Sequence, residues 1–259
     1  MADVLTTDEA RVRWITLNRP ETRNALTTQV NDTVRAAFES APSGGARVVV
    51  LTGAGGAFSS GLDLRVAAEE GMDPATIESR MRIHFHGLIR AVRACPLPTV
   101  AVVDGPAAGF GCDLALACDL RLVSDRARFG EIFVKRGLMP DGGGTWMLPR
   151  LIGLGRALEL MLTGDLVDAA EAHRIGLANR IYPSQQLESA ARDFARTLAG
   201  GPPLVHRAVK AAVAAASHST LDEALEGEVR GQLKLLASAD FQEGIAAFLE
   251  KRPPAFQGE

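Results

Sequence analysis

The sequence predicts an α/β fold with a parallel sheet, followed by a helical C-terminal region. The apolar runs at 47–51 (RVVVL) and 99–103 (TVAVV) are typical of strands covered on both faces. Glycine loops and helical patterns alternate with such strands up to about residue 184. Beyond that point only helical patterns remain. We therefore predict right-handed crossover connections in residues 1–197 and a helical region over 198–259.

Each predicted element has a local signal. Residues 11–18 (RVRWITLN) alternate polar and apolar side chains as a half-buried strand does, and Pro20 ends the pattern because it has no N–H for a sheet. A helix is expected over 27–40 and another over 74–94, which the prolines at 96 and 98 stop. The remaining predicted elements are a helix ending near 117, a strand over 119–123 and helices over 185–198, 204–217, 221–237 and 241–250.

Composition excludes several classes of function. The 259 residues include 28 Lys and Arg against 31 Asp and Glu, so no cationic surface field favours nucleic acid or an anionic membrane. No uncharged apolar run approaches the ~18 to 20 residues of a membrane helix, and the first residues do not resemble a signal peptide, so we expect a cytoplasmic protein. The three cysteines and five scattered histidines predict neither disulfides nor a metal site.

Two glycine-rich segments are the first candidates for chemistry. They lie at 53–64 (GAGGAFSSGLDL) and 104–113 (DGPAAGFGCD), and the second follows a strand and opens a helix. Free N–H groups at such a helix start favour a negative oxygen, and two N–H groups that converge on one oxygen form an oxyanion hole. Tight turns explain the same spacing equally well. Neither segment has the pattern of a nucleotide-binding loop, and no serine-hydrolase motif occurs.

A third segment, 137–146 (GLMPDGGGTW), places Asp141 between a proline and three glycines. This aspartate either caps a helix that starts near residue 143 or presents its carboxylate to a narrow cavity. From the local pattern alone, capping is the favoured interpretation.

Together these motifs resemble the crotonase superfamily, the enoyl-CoA hydratase/isomerase family, over nearly the whole chain. The resembling segments are 18–26 (NRPETRNAL), 58–64 (FSSGLDL), 104–119, 137–144 and 243–253 (EGIAAFLEKRP). The resemblance implies a spiral of ββα units followed by an α-helical trimerisation region, in a homotrimer or a homohexamer. It also implies an acyl-CoA substrate, with CoA as part of the substrate and no separate cofactor.

The resemblance assigns site residues by position. Leu62 and Phe110 would supply the backbone N–H groups of an oxyanion hole for the thioester carbonyl. The positions that resemble CoA-lining residues are Arg23, Ala25, Leu26, Ser60, Asp63 and Leu64, together with Phe248 and Lys251 near the C-terminus. His86, Phe133 and Trp146 are expected around the acyl group.

Two departures from the family pattern bear on the reaction. Hydratases of the family use two glutamates, whereas here the matching positions hold Asp113 and Phe133, and a phenyl ring cannot transfer a proton. Glu131 lies two residues from Phe133, but the spacing from Gly130 to Gly137 leaves no room to move it into that place. We therefore expect two-glutamate hydration to be weak or absent.

The segment at 140–150 (PDGGGTWMLPR) is similar to the ring-1,2-epoxyphenylacetyl-CoA isomerase branch, which implies a double-bond isomerase with Asp141 as acid and base. The alternatives are an enoyl-CoA hydratase that uses Asp113 or Asp141, and a catalytically inactive CoA-thioester binder. His86 together with Asp141 also resembles an acyl-CoA dehalogenase branch, a more remote option. Without such roles, Asp63 and Asp113 are expected to cap or pair with the helices that follow the two glycine loops.

Overall fold

The computed structural model describes residues 2–71 and 73–259, which form short strands and a larger number of helices. The strands are β1 (Val4–Glu9), β2 (Val12–Leu17), β3 (Val48–Gly53), β4 (Thr99–Val103), β5 (Pro106–Ala108), β6 (Leu120–Ser124), β7 (Arg128–Gly130), β8 (Val167–Asp168) and β9 (Arg180–Tyr182). The first helices are α1 (Thr28–Ser40), α2 (Leu64–Glu70), α3 (Pro74–Arg80), α4 (His86–Ala94), α5 (Phe110–Ala117) and α6 (Gly144–Ile152). The later helices are α7 (Leu154–Thr163), α8 (Ala169–Arg174), α9 (Ser184–Gly200), α10 (Pro203–Ala216), α11 (Leu221–Leu236) and α12 (Ala239–Glu250).

The larger sheet has the strand order β1-β2-β3-β4-β6-β9. All its neighbouring strands are parallel except β1 and β2, which form an antiparallel edge hairpin that the sequence analysis did not predict. Ala10 and Arg11, the two residues of the hairpin turn, both have positive φ. The buried runs of β3 and β4 occupy the centre, as their continuous apolar pattern predicts.

The two faces of this sheet carry separate apolar cores. On one face α9 packs its alanines and Leu187 against the valines of β2, β3 and β4. On the other face α1, α4 and α5 form the main core, and every residue of α5 is buried. Because α5 contains small residues such as Gly111 and Ala115, this helix can lie deep in the molecule.

A second, three-stranded sheet (β5-β7-β8) lies next to the site described below. β5 runs parallel to β7 and leads directly into Gly109 and Phe110, while β7 leads into Glu131. The N–H of Gly109 donates to the carbonyl of Gly130 (2.8 Å), which ties the two strand ends together. This small sheet therefore fixes where α5 begins relative to residue 131.

The predicted helix over 74–94 is present but is interrupted. Residues Met81–Phe85 form a π-helical turn between α3 and α4, and the N–H of His86 donates to the carbonyl of Met81. Such turns are rare in proteins, and those that occur often lie at functional sites.

The helices predicted after residue 184 are all present as α9 to α12. α9 packs on the larger sheet, whereas α10, α11 and α12 leave much of their apolar surface exposed. The exposed large apolar residues of these three helices are Val209, Val213, Leu221, Leu225, Val229, Leu233, Leu236, Phe241, Ile245, Phe248 and Leu249. No helix in the described part of the chain is long and apolar enough to cross a membrane.

Candidate active site

The structure brings together the two backbone N–H groups predicted to form an oxyanion hole. Gly61 has φ +90°, and a Cβ placed on it would lie 2.7 Å from the carbonyl oxygen of Ala108 and 3.4 Å from the nitrogen of Phe110. The loop before Leu62 thus approaches the start of α5 as closely as a bare backbone allows. Within residues 2–71 and 73–259, neither the Leu62 nor the Phe110 N–H donates a hydrogen bond. Both N–H groups are therefore available as donors, as an oxyanion hole requires.

Backbone hydrogen bonds hold these donors in place. We use "oxyanion frame" for residues 19–26, 58–63 and 106–111. The N–H of Leu26 donates to the carbonyl of Gly61 (2.8 Å), and the N–H of Asp63 donates to the carbonyl of Leu26 (3.0 Å). The N–H of Ser60 donates to the carbonyl of Arg23 (2.9 Å). On the other side of the frame, the N–H groups of Phe58 and Ser59 share the carbonyl of Pro106.

Asn24, which the sequence analysis did not single out, clamps the oxyanion frame. It is 1% exposed, and its Nδ2 donates to the carbonyls of Ala54 (2.9 Å) and Ala57 (2.7 Å). Its Oδ1 accepts from the N–H of Arg19, and its carbonyl accepts from Ser59 Oγ (2.8 Å). A signal was available in the sequence, because asparagine tolerates the positive φ (+56°) found here better than most residues.

The eight positions expected to line CoA fall into two groups. The segment from Arg23 to Leu26 runs beside Ser60 to Leu64 in the oxyanion frame, whereas Phe248 and Lys251 lie exposed at the end of α12. Ala25 and Leu26 are buried, Leu26 completely, so a ligand at these two positions would meet mainly their backbone. Contact of the other positions with CoA stays a prediction.

The prediction that Asp63 caps or pairs with the helix after the first glycine loop is confirmed by a cap. The Asp63 side chain accepts from the N–H of Val66 at the start of α2 (3.3 Å) and forms a 3.0 Å ion pair with Arg19. Burial alone would raise the pKa of this carboxyl, but the Val66 hydrogen bond and the Arg19 guanidinium lower it overall.

Asp113 does not cap its helix, so that prediction is wrong. α5 begins after Gly109 without a side-chain cap, and Asp113 lies in its first turn with 0% exposure. Its Oδ2 accepts from the N–H of Gly142 (2.9 Å). A Cβ on Gly142 would lie 2.6 Å from both this oxygen and the ring of Phe110, which explains the glycine. Burial, with repulsion from Glu131, raises the pKa of Asp113.

Asp141 does not cap α6 either. The cap position is Gly143, with φ +91° and no side-chain hydrogen bond, so the favoured interpretation from sequence is wrong. The half-buried Asp141 precedes Gly142, which packs on Phe110. Burial raises the pKa of Asp141, and the nearby imidazole of His86 opposes this. The other interpretation, a carboxylate presented to a narrow cavity, stays a prediction.

His86 holds the backbone of the loop that carries Asp141. Its Nε2 lies 2.9 Å from the carbonyl oxygen of Asp141, and because a carbonyl only accepts, Nε2 carries the proton. The π-helical turn before His86 also places Phe85 edge-on against Phe110, with ring centroids 4.7 Å apart. We use "acid loop" for residues 137–144.

The two aromatic residues expected around the acyl group have different surroundings. Ring atoms of Phe133 lie 3.8 and 4.0 Å from the point where a side chain on Gly109 would begin, so this ring forms a wall beside the oxyanion frame. Trp146 is 38% exposed, and its ring stacks with the guanidiniums of Arg150 (4.0 Å) and Arg93 (5.6 Å). A place for Trp146 in the acyl pocket stays a prediction.

Two surface clefts of about 470 and 620 Å³ lie between α1, α2 and α3, with Thr28 and Glu70 lining both. Neither is lined by the oxyanion donors or by Asp141. Among the described residues, no group of three or more His, Cys, Asp or Glu is arranged to hold a metal ion.

Comparison with known proteins agrees with this geometry. Residues 7–259 match the enoyl-CoA hydratase/isomerase family profile. The chain belongs to the enoyl-CoA hydratase/isomerase (crotonase) family. It is 45% identical to a probable enoyl-CoA hydratase of Rhodobacter capsulatus, over 94% of this chain and 93% of the relative. It is 35% identical to the 1,2-epoxyphenylacetyl-CoA isomerase of Escherichia coli over the full length of both chains.

The fold is that of solved family members. The crystal structure of an enoyl-CoA hydratase from Bacillus anthracis superposes with a TM-score of 0.95 at 33% identity, covering both chains completely. The predicted crotonase fold, an α/β spiral with a helical C-terminal region, is therefore confirmed.

Proposed function

We propose that this acyl-CoA enzyme shifts a carbon–carbon double bond, with Asp141 as its single acid and base. The observation that carries the proposal is the difference in bonding and burial between Asp113 and Asp141. Asp113 is bonded to Gly142 and fully buried, while Asp141 is only half-buried and precedes Gly142, which packs on Phe110. Phe133, in the place of a second acid, forms an apolar wall.

The reaction follows from these positions. The Asp141 carboxylate removes a proton from the α carbon of a 3-enoyl thioester, and the electron pair left behind delocalises over the γ carbon and the carbonyl oxygen. The N–H groups of Leu62 and Phe110 stabilise that oxygen, each contributing about 3 kcal/mol to the transition state. Protonated Asp141 then returns the proton to the γ carbon, which gives the conjugated 2-enoyl thioester and regenerates the carboxylate.

The raised pKa of Asp141 suits both halves of this exchange. A carboxyl group with an ordinary pKa is a weak base and holds a proton too briefly to deliver it. Burial moves the pKa of Asp141 upward, and the nearby imidazole of His86 opposes this rise.

The substrate thioester is proposed to carry CoA along Arg23, Ser60 and Leu64, the exposed or half-exposed positions at this edge of the oxyanion frame. The exposed apolar faces of α10 to α12 suit burial between copies of the chain, in a trimer or a pair of trimers. The mass of the particle in solution tests this assembly.

Hydration is the second candidate, because the similar protein of Rhodobacter capsulatus bears the name of a probable enoyl-CoA hydratase. In that case Asp141 would activate a water molecule without a second carboxylate. The product distinguishes the two reactions, since hydration removes the conjugation that isomerisation creates.

One absorbance assay separates the candidates. Conjugated enoyl thioesters absorb in the ultraviolet, so a 3-enoyl-CoA should give rising absorbance with this enzyme. A 2-enoyl-CoA should give little change. Falling absorbance with the 2-enoyl-CoA and none with the 3-enoyl-CoA would replace isomerase with hydratase. Binding of both without any change would favour an inactive thioester binder.

A further inference from the structure

Two buried acids below the acid loop take no part in the proposed proton transfer. Asp113 is 0% exposed and Glu131 is 1% exposed. Among the residues that the structure describes, Oδ1 of Asp113 and both oxygens of Glu131 have no hydrogen-bond partner. An ionised carboxylate without donors in an apolar interior costs several kcal/mol, about the largest penalty a side chain can meet there. At least one of these acids therefore keeps its proton.

The two carboxyl groups face the same point. A Cβ on Gly144 would lie 3.1 Å from Glu131 Oε1 and in still closer contact with Asp113 Oδ1. Gly144 is thus bare because both acids fill the space beside it. Two carboxylates this close repel each other, and one shared proton removes the repulsion while giving an oxygen of each acid a partner.

The surroundings of the pair contain no compensating cation. The groups that face it are the backbone N–H of Gly144, the weakly donating thiol of Cys112 on α5 and the carboxyl of Asp141 on the acid loop. No Lys, Arg or His in the described ranges forms an ion pair with either acid. Burial raises the pKa of Glu131 to about 7, and burial with repulsion from Glu131 raises the pKa of Asp113 well above its ordinary range.

We propose, on the basis of the proposed function, that Glu131 is a positioning residue that shares its proton with Asp113 and so fixes the Asp113 carboxyl on the Gly142 N–H. That hydrogen bond (2.9 Å) holds the acid loop one residue from Asp141. Glu131 thereby acts on the proton transfer through Asp113 and the backbone, without touching the substrate.

Kinetics with two substitutions test the role of the donor. Glu131→Gln keeps the shape and offers an N–H to Asp113, so kcat for the 3-enoyl-CoA should stay within a few-fold of wild type. Glu131→Leu keeps the bulk but no donor, and should lower kcat by about 10- to 100-fold with KM little changed. Glu39→Leu, on the exposed end of α1, is the matched control and should change neither. Wild-type kcat in Glu131→Leu, or equal losses with Gln and Leu, would overturn the proposal.

Infrared difference spectroscopy tests the shared proton without substrate, and it needs neither the isomerase reaction nor a folded Glu131→Leu variant. At pH 7 the wild type should show the carbonyl band of a buried protonated carboxylic acid, shifted in heavy water. Glu131→Gln should shift or lose the band, because an amide then replaces one of the two carboxyl groups that share the proton, whereas Glu39→Gln should leave it unchanged. No such band in the wild type, or an unchanged band in Glu131→Gln, contradicts the shared proton.

Discussion

The oxyanion frame and the acid loop are both rich in glycine, but different forces hold them. Backbone-to-backbone hydrogen bonds and the uncharged amide of Asn24 fix the frame, and its two donors, the N–H groups of Leu62 and Phe110, carry no ionisable group. Side chains fix the acid loop, through Asp113 on Gly142 and His86 on the Asp141 carbonyl. The frame should therefore be sensitive to added volume, whereas the acid loop should be sensitive to charge and protonation.

The largest effect is expected from removing the carboxylate of Asp141 in the acid loop. Asp141→Asn keeps the size of the side chain but cannot accept a proton, so kcat should fall by about 10³-fold. Binding of a saturated acyl-CoA, measured by titration calorimetry, should be unchanged because the oxyanion frame is intact. Full activity in this variant would remove Asp141 from the mechanism.

A smaller effect is expected from adding one methyl group to the frame. In Gly61→Ala the new Cβ meets the Ala108 carbonyl at 2.7 Å, in addition to the strain of a positive φ. The free energy of unfolding, measured in urea, should fall by about 3 kcal/mol, and kcat should fall as the two donors move apart.

Gly45→Ala is the control for that variant. Its φ is also positive (+80°), but nothing lies within 4 Å of the added carbon. It should cost only the backbone strain, about 1 kcal/mol, and leave kcat unchanged. Equal effects at both glycines would show that the close approach in the frame has no functional importance.

The smallest effect is expected from a change in the pKa of Asp141. His86 lowers the pKa of Asp141, so His86→Gln should raise that pKa while keeping a donor for the Asp141 carbonyl. Because the base acts as a carboxylate, the acid limb of the kcat/KM profile should move to higher pH, by about half a unit to one unit. His84→Gln, which loses only a contact with Asp32, should leave the limb in place. A shift to lower pH in His86→Gln would contradict the assigned electrostatics.

The parts of the fold that were predictable have strong local signals. The runs in β3 and β4 and the helices α9 to α12 follow from apolar pattern alone. The three-residue strands β5, β7 and β9 were missed because so short a segment has no period and exists only through its partner strands.

The site was predictable only in part, for similar reasons. Leu62 and Phe110 were identified from motif position, and the structure brings them together. Capping of α6 by Asp141 was a local preference that the glycine at position 143 overrode. The role of Glu131 was missed because a comparison of positions along a motif does not reveal which side chains meet under a loop.

The π-helical turn at Met81–Phe85 separates two halves of what would otherwise be one helix. One residue added to an α-helix rotates everything after it by about 100°. Here the π-helical turn accommodates such a residue without rotating the helix that precedes it. Arg80 on α3 can therefore bond to Glu70 and Gly71. His86 on α4 independently bonds to the Asp141 carbonyl. The orientation of Arg80 on α3 and that of His86 on α4 are thus decoupled. A change in the packing of α3 is therefore not passed on to His86 as a rotation of its helix.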